Sequence, residues 1–227
     1  MTQACRWIAV LATACALAAV GCGDDGEPAD YSGHENLVPP DVKYDEPDPY
    51  QRGKERLSVD VFYEGGRSET IKVNGFRNHF YIFGFNEFGR DTFTLVPAGD
   101  RMEGEQSDLF TLVGTAFWGG GIVWDEPIDL SGWEYLFVAL KSADPSFARI
   151  DLSLLSGEGD GPRSVALDPR TYGYVNDGAW HFLRIPLADA VARGWDPRQA
   201  RSPFIIGGAG NRAGDRLYVD NLYLTRY

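Results

Sequence analysis

Cysteine is nearly absent from this 227-residue chain: Cys5, Cys15 and Cys22 are its only three, so everything after Cys22 is free of thiols. That excludes a disulfide framework and a thiolate metal site in the body of the protein. Histidine and methionine are scarce as well, at three and two, and no HExxH, GxSxG, P-loop or glycine-rich turn opening a helix occurs. His34 precedes the folded region, His79 has no identifiable partner, and His181 alternates with Trp180 and Phe182 as a satisfied sheet residue would. Basic residues are the minority, 21 Lys+Arg against 33 Asp+Glu for a net charge of -12. Nucleic acid needs clustered cations to displace phosphate counterions, so it is excluded as a partner. Long apolar runs are missing too, apart from residues 7–20, a run shorter than the roughly 20 residues that span a bilayer.

That one run follows Arg6 and ends in Ala19-Val20-Gly21-Cys22, small residues directly before a cysteine. It reads as a secretory signal, and its end resembles a bacterial lipoprotein signal. The resemblance implies that residues 1–21 are removed and Cys22 is lipidated, anchoring the protein to a membrane of the cell envelope, periplasmic or at the cell surface. Two or more acyl chains hold stably where one does not. Residues 22–53 follow as an acidic, proline-rich tether. Between Gly23 and Tyr50 lie nine acidic residues, one lysine and five prolines, with no apolar periodicity. Such a segment resists compaction and reaches about 100 Å at full extension.

From residue 54 the pattern becomes short alternating runs bounded by glycine, proline and aspartate, the signature of strands. Leu57, Val59, Val61 and Tyr63 alternate with polar residues, and Glu64-Gly65-Gly66-Arg67 then turns the chain towards 70–73, predicting an opening hairpin. Further strands are predicted at 80–85, 92–96, 109–113, 121–124, 150–154, 164–167, 180–185, 204–207 and 217–224. The run 135–140 is apolar on both faces and predicts a central strand, and only 187–193, closed by Gly194, reads as a helix. Residues 54–227 are thus expected to form one all-β domain, a two-sheet antiparallel β-sandwich of jelly-roll type.

The second half contains GGGIVWDEPIDLSGWEYLFVALKS, DGAWHFLRIPL and FIIGGAGNRAGDRLYVDNLYL. These segments resemble the galactose-binding-like β-jelly-roll carbohydrate-binding modules, in Asp129-Leu130-Ser131-Gly132, in the strand from Trp180 to Leu187, and in Val219-Asp220-Asn221. The resemblance spans residues 119–227. It implies a non-catalytic carbohydrate-binding lipoprotein, with a structural or protein-interaction lipoprotein of the same fold, an adhesin or envelope scaffold, as the alternative. A glycan hydrolase or lyase would need two opposed carboxylates about 5–10 Å apart, and no particular pair stands out. In the family the aspartate of the last strand commonly helps hold a structural calcium; Asp220 matches that position. Calcium takes oxygen ligands, for which Glu87, Asp91 and Glu103 are candidates, and the acidic loop 157–161 is a further place a cation could sit.

Sugars lie with the apolar face of the ring on an exposed aromatic side chain while polar groups receive the hydroxyls. Trp118, beside the run Gly119-Gly120-Gly121, is expected to be such a platform, with Trp124 at the run's other end. Tyr172 and Tyr174, one glycine apart and followed by Asn176 and Asp177, form the most ligand-like polar cluster. Trp133 and Trp180, within apolar runs, are expected in the core, and Trp195 is expected to cover the end of the short helix.

Overall fold

The computed structural model describes residues 56–58, 69–70, 80–84, 91–103, 106–124, 126–157, 161–210 and 212–226. The signal, Cys22, the tether, His79 and Glu87 lie outside the described residues.

Twelve strands run through the described chain: β1 (Arg56–Ser58), β2 (Glu69–Thr70), β3 (Phe80–Ile82), β4 (Phe93–Ala98), β5 (Ser107–Leu112), β6 (Phe117–Ile122), β7 (Tyr135–Lys141), β8 (Asp151–Ser156), β9 (Arg163–Leu167), β10 (His181–Pro186), β11 (Ala200–Ala209) and β12 (Arg216–Thr225). They form two sheets. The larger, seven-stranded sheet runs β10-β7-β12-β1-β2, with β5 also paired to β12 and β4 to β5; the five-stranded sheet runs β3-β6-β11-β8-β9. The chain passes repeatedly from one sheet to the other, giving the expected jelly-roll sandwich.

Period-two alternation builds the core. Leu136, Val138 and Leu140 of β7 and Leu183 and Ile185 of β10 point inward from the larger sheet, and meet Leu152 and Leu154 of β8 and Phe204 and Ile206 of β11 from the smaller one. The run 135–140 reads as apolar on both faces because β7 is central and Phe137 packs on the opposite side of the sheet, stacked on Tyr223 and Phe182 at 5.0 and 5.2 Å. The expected helix is α1 (Leu187–Ala192), which buries Leu187 and Ala190. Behind it Trp195 is buried and donates its indole N–H to the Leu155 carbonyl at 3.0 Å, covering the helix end as expected.

Two expectations are corrected. β1 and β2 pair in parallel, Leu57 opposite Glu69, so these pieces are not the arms of a hairpin, which pairs antiparallel. The glycine run is no open loop either. Gly119, Gly120 and Gly121 are buried residues of β6, and a Cβ at Gly120 would stand 2.3 Å from the Phe80 ring, one at Gly121 2.6 Å from Ile205. Neighbouring side chains already occupy the space that glycine leaves.

Candidate functional site

Trp118 occupies the interior. It is 0% exposed and meets Phe147 and Phe93 edge-on, with ring centroids 4.9 and 6.3 Å away. The expectation of an exposed platform fails because β6 turns this position inward, in step with Ile122. Trp124 is buried too. Gly208 of the neighbouring β11 is small for Trp118's sake: a Cβ there would lie 2.8 Å from the indole nitrogen.

The loop 172–177 does come together, but its bonds are spent internally. Tyr174 is 3% exposed and donates its hydroxyl to the Phe147 carbonyl at 3.0 Å, with Asn176 Oδ1 a second acceptor at 3.3 Å. Burial pushes its phenol above the ordinary range. It is therefore a core residue, not an exposed platform. Asn176 donates to the Asp144 carbonyl at 3.0 Å. Tyr172 is half-buried against the core and bonds Asp189 Oδ2 of α1 at 2.9 Å, its phenol pushed up to about 12, first by burial and then by that carboxylate. Asp177 is exposed and lies 2.8 Å from His181 Nε2 while accepting the Ala179 N–H. His181 is thus the satisfied sheet residue its alternation predicts, with Tyr174 edge-on to its ring.

The outward aromatics lie elsewhere, on the far face of the larger sheet. Leu183 and Ile185 point into the core, so alternation sends Trp180, Phe182 and Arg184 outward. Trp180 was expected in the core; its ring is half-buried on this outer face, 6.2 Å from Tyr218 of β12 at a steep angle. Lys141, last residue of β7 and opposite Tyr218 in register, places its ammonium 5.9 Å from the Trp180 ring centre and 5.8 Å from that of Tyr218. Asp100, after β4, accepts from Lys141 Nζ at 2.5 Å and from the Trp180 indole N–H at 3.0 Å. The Lys141 ammonium, with the Trp180 N–H adding to it, holds the Asp100 carboxyl below its ordinary range. Two strands, the residue just before β10 and the loop after β4 thus present two aromatic rings beside a neutral ammonium–carboxylate pair. The ring of Trp180 is fixed before any ligand arrives, which removes an ordering cost from binding. Ring faces can take the C–H face of a sugar, Asp100 can accept from a hydroxyl, and Lys141 can donate to its neighbour.

Asp220 lies beneath this region, 2% exposed. Its Oδ2 accepts the backbone N–H of Met102 at 2.7 Å and of Glu103 at 3.1 Å, and its Oδ1 that of Asn221 at 2.7 Å. Burial pushes its carboxyl up to about 7 against those three donors, and the Glu103 carboxylate adds to the rise. Of the candidate calcium partners, Glu103 is brought alongside, accepting from Asn221 Nδ2 at 3.0 Å, whereas Asp91 is exposed at a bridge to Gly84. No group of three or more His, Cys, Asp or Glu gathers anywhere among the described residues. Two carboxylates ringed by N–H donors fall short of the six to eight oxygens calcium takes.

No protein-family model and no curated relative matches the sequence. Solved structures similar to it include a family 30 carbohydrate-binding module of a cellulosomal cellulase of Clostridium thermocellum, at 15% identity over 66% of this chain and 94% of that one, TM-score 0.49. A family 11 carbohydrate-binding module from the same organism, in complex with a β-1,3-1,4-mixed-linked tetrasaccharide, is 16% identical over 59% and 82%, TM-score 0.44. The extra C-terminal domain of an exo-1,3/1,4-β-glucanase from Pseudoalteromonas is 16% identical over 63% and 74%, TM-score 0.43. The site described above is defined by this chain's own side chains.

Proposed function

We propose that this protein is a non-catalytic carbohydrate-binding lipoprotein whose sugar site is the Trp180–Tyr218 platform with Lys141 and Asp100. One observation carries the reading: a half-buried indole locked by its N–H to a carboxylate, beside a second ring and a charge-balanced hydrogen-bonding pair, on a sheet face. Stacking supplies the affinity and the ion pair sorts the hydroxyls. A net-neutral pair favours uncharged glycans over uronates, because an acidic sugar would meet the Asp100 carboxylate. The natural first probe is a soluble mixed-linkage β-1,3-1,4-glucan, the linkage type of the tetrasaccharide bound by one of the similar modules, run beside other neutral and acidic polysaccharides. Retardation of the chain in a gel containing a neutral glycan, lost on Trp180→Ala with the melting temperature kept, is the expected result; a protein indifferent to every glycan but capturing an envelope component would point to the scaffold reading.

The anchor belongs to the same proposal and rests on Ala19-Val20-Gly21-Cys22 alone. Its test is incorporation of labelled palmitate, present in the unaltered chain and lost in Cys22→Ser. A structural calcium at Asp220 is proposed on the matched position and the adjoining Glu103, and requires further oxygens from beyond the described residues. A melting temperature lowered by EDTA and restored by calcium would support it.

A further inference from the structure

We infer that Asp220, assisted by Asn221, is a positioning residue for the Trp180–Tyr218 platform, acting through the segment 100–103; the inference rests on the sugar-binding reading above. β12 does not alternate cleanly. Val219 and Leu222 both belong to the core, which leaves two residues between them where alternation allows one. Pairing with β7 shows the same irregularity: β12 advances from Asp220 to Tyr223 while β7 advances only from Ala139 to Phe137. This is a one-residue bulge, and such bulges re-aim side chains. Asn221 takes a left-handed φ of 55° there, a conformation asparagine tolerates better than most residues.

The bulge brings two consecutive side chains to one segment. Asp220 grips the amides of Met102 and Glu103, and Asn221 grips the Glu103 carboxylate. On the other side of the segment the Ser107 hydroxyl holds the Asp100 carbonyl at 2.5 Å. Asp100 is therefore clamped between two fixed points, and Asp100 in turn fixes the Trp180 indole and the Lys141 ammonium. Only Arg101 separates it from the first amide that Asp220 holds, so a displaced Met102 carries Asp100 with it. Asp220 and Glu103, at 2% and 3% exposure, make these ties out of water, where a hydrogen bond is electrostatically stronger.

The test uses the full chain labelled with nitrogen-15 in its tryptophans, with the Trp180 indole N–H resonance assigned from Trp180→Phe. At pH 8, where Asp220 is ionised, Asp220→Asn removes the charge that gathers the amides; Asp100→Asn at the same pH is its reference. Asp220→Asn should move the Trp180 resonance in the direction that Asp100→Asn moves it. Each should weaken binding of soluble mixed-linkage β-1,3-1,4-glucan about tenfold, the scale of one charge-assisted hydrogen bond, with the double variant no weaker than Asp100→Asn alone. A Trp180 resonance unmoved in a folded Asp220→Asn chain, or additive losses in the double variant, would overturn the inference. Should Asp220→Asn not fold, Asn221→Gly keeps the left-handed bulge and deletes only the tie to Glu103; it should give a smaller shift in the same direction, and an unmoved resonance overturns the inference there too. If the unaltered chain binds no glycan, the sugar-binding reading falls, while the resonance still decides whether Asp220 positions Trp180.

Discussion

Trp118 and Trp180 each stand at or just before a strand, the one after Phe117 and the other after Ala179, yet the first ends in the interior and the second at the surface. Trp118 is enclosed between Phe93 and Phe147, and its indole nitrogen has no hydrogen-bond partner among the described residues. Trp180 keeps part of its ring at the surface, and its indole nitrogen is tied to Asp100. The difference lies in strand phase. Ile122 shares the face of Trp118, whereas Leu183 and Ile185 are out of phase with Trp180. A neighbouring glycine run therefore says little about exposure: at Gly120 and Gly208 the missing Cβ makes room for the protein's own rings.

Substitutions sharpen that contrast. Trp118→Ala should be the most damaging, lowering stability by about 3–5 kcal/mol as buried aromatics do, seen as a large fall in the urea midpoint. Gly208→Ala should cost about 1–3 kcal/mol by overpacking, since its Cβ would lie 2.8 Å from the Trp118 indole nitrogen and 3.0 Å from the Arg149 carbonyl; thermal melting reads it. Trp180→Ala should behave oppositely, weakening glycan binding at least tenfold, about 1.4 kcal/mol, with little change in the melting curve. Equal loss of stability at Trp118 and Trp180 would break the comparison. Lys141→Met should change affinity by only a few-fold and stability by under about 1 kcal/mol, because an exposed ion pair contributes little by itself.

A pH series probes the clamp under the platform. Asp220 is raised from 3.8 to about 7 in the folded chain, so between those values the folded state holds a proton the unfolded state has released. In EDTA, stability should therefore fall as pH rises across that window and level off above it. Asp151, raised chiefly by burial, acts in the same sense. Asp100, Asp168 and Asp215 are lowered, and their contribution is lost only below the ordinary carboxylate range. Urea midpoints at pH 5 and pH 8 would show the slope; a calcium-dependent loss of it would favour the metal.

The sandwich was legible in the sequence because alternation is a local signal: Leu152 and Leu154, or Leu217 and Val219, show their face directly. The platform was much less so. Phase counted back from Leu183 and Ile185 places Trp180 outward, but Phe182 is apolar and outward as well, so the whole run reads as buried. Tyr218 is similarly masked between two core residues. Asp100 meets Trp180 across 80 positions and Asp220 meets Met102 across 118, and no period in a single sequence encodes such pairings. The loop 172–177 misleads for the opposite reason. Its polar residues look available to a ligand, but the Phe147 and Asp144 carbonyls and the Asp189 carboxylate already engage them.

The most direct test is calorimetric titration of the full chain with soluble neutral glycans, comparing the unaltered protein with Trp180→Ala/Tyr218→Ala and with Tyr172→Ala/Asp177→Ala. Binding to at least one glycan is expected, abolished by the first pair of substitutions and retained in the second. Binding lost only with Tyr172 and Asp177, or unaffected by removal of both Trp180 and Tyr218, would contradict a sugar site on the Trp180–Tyr218 face.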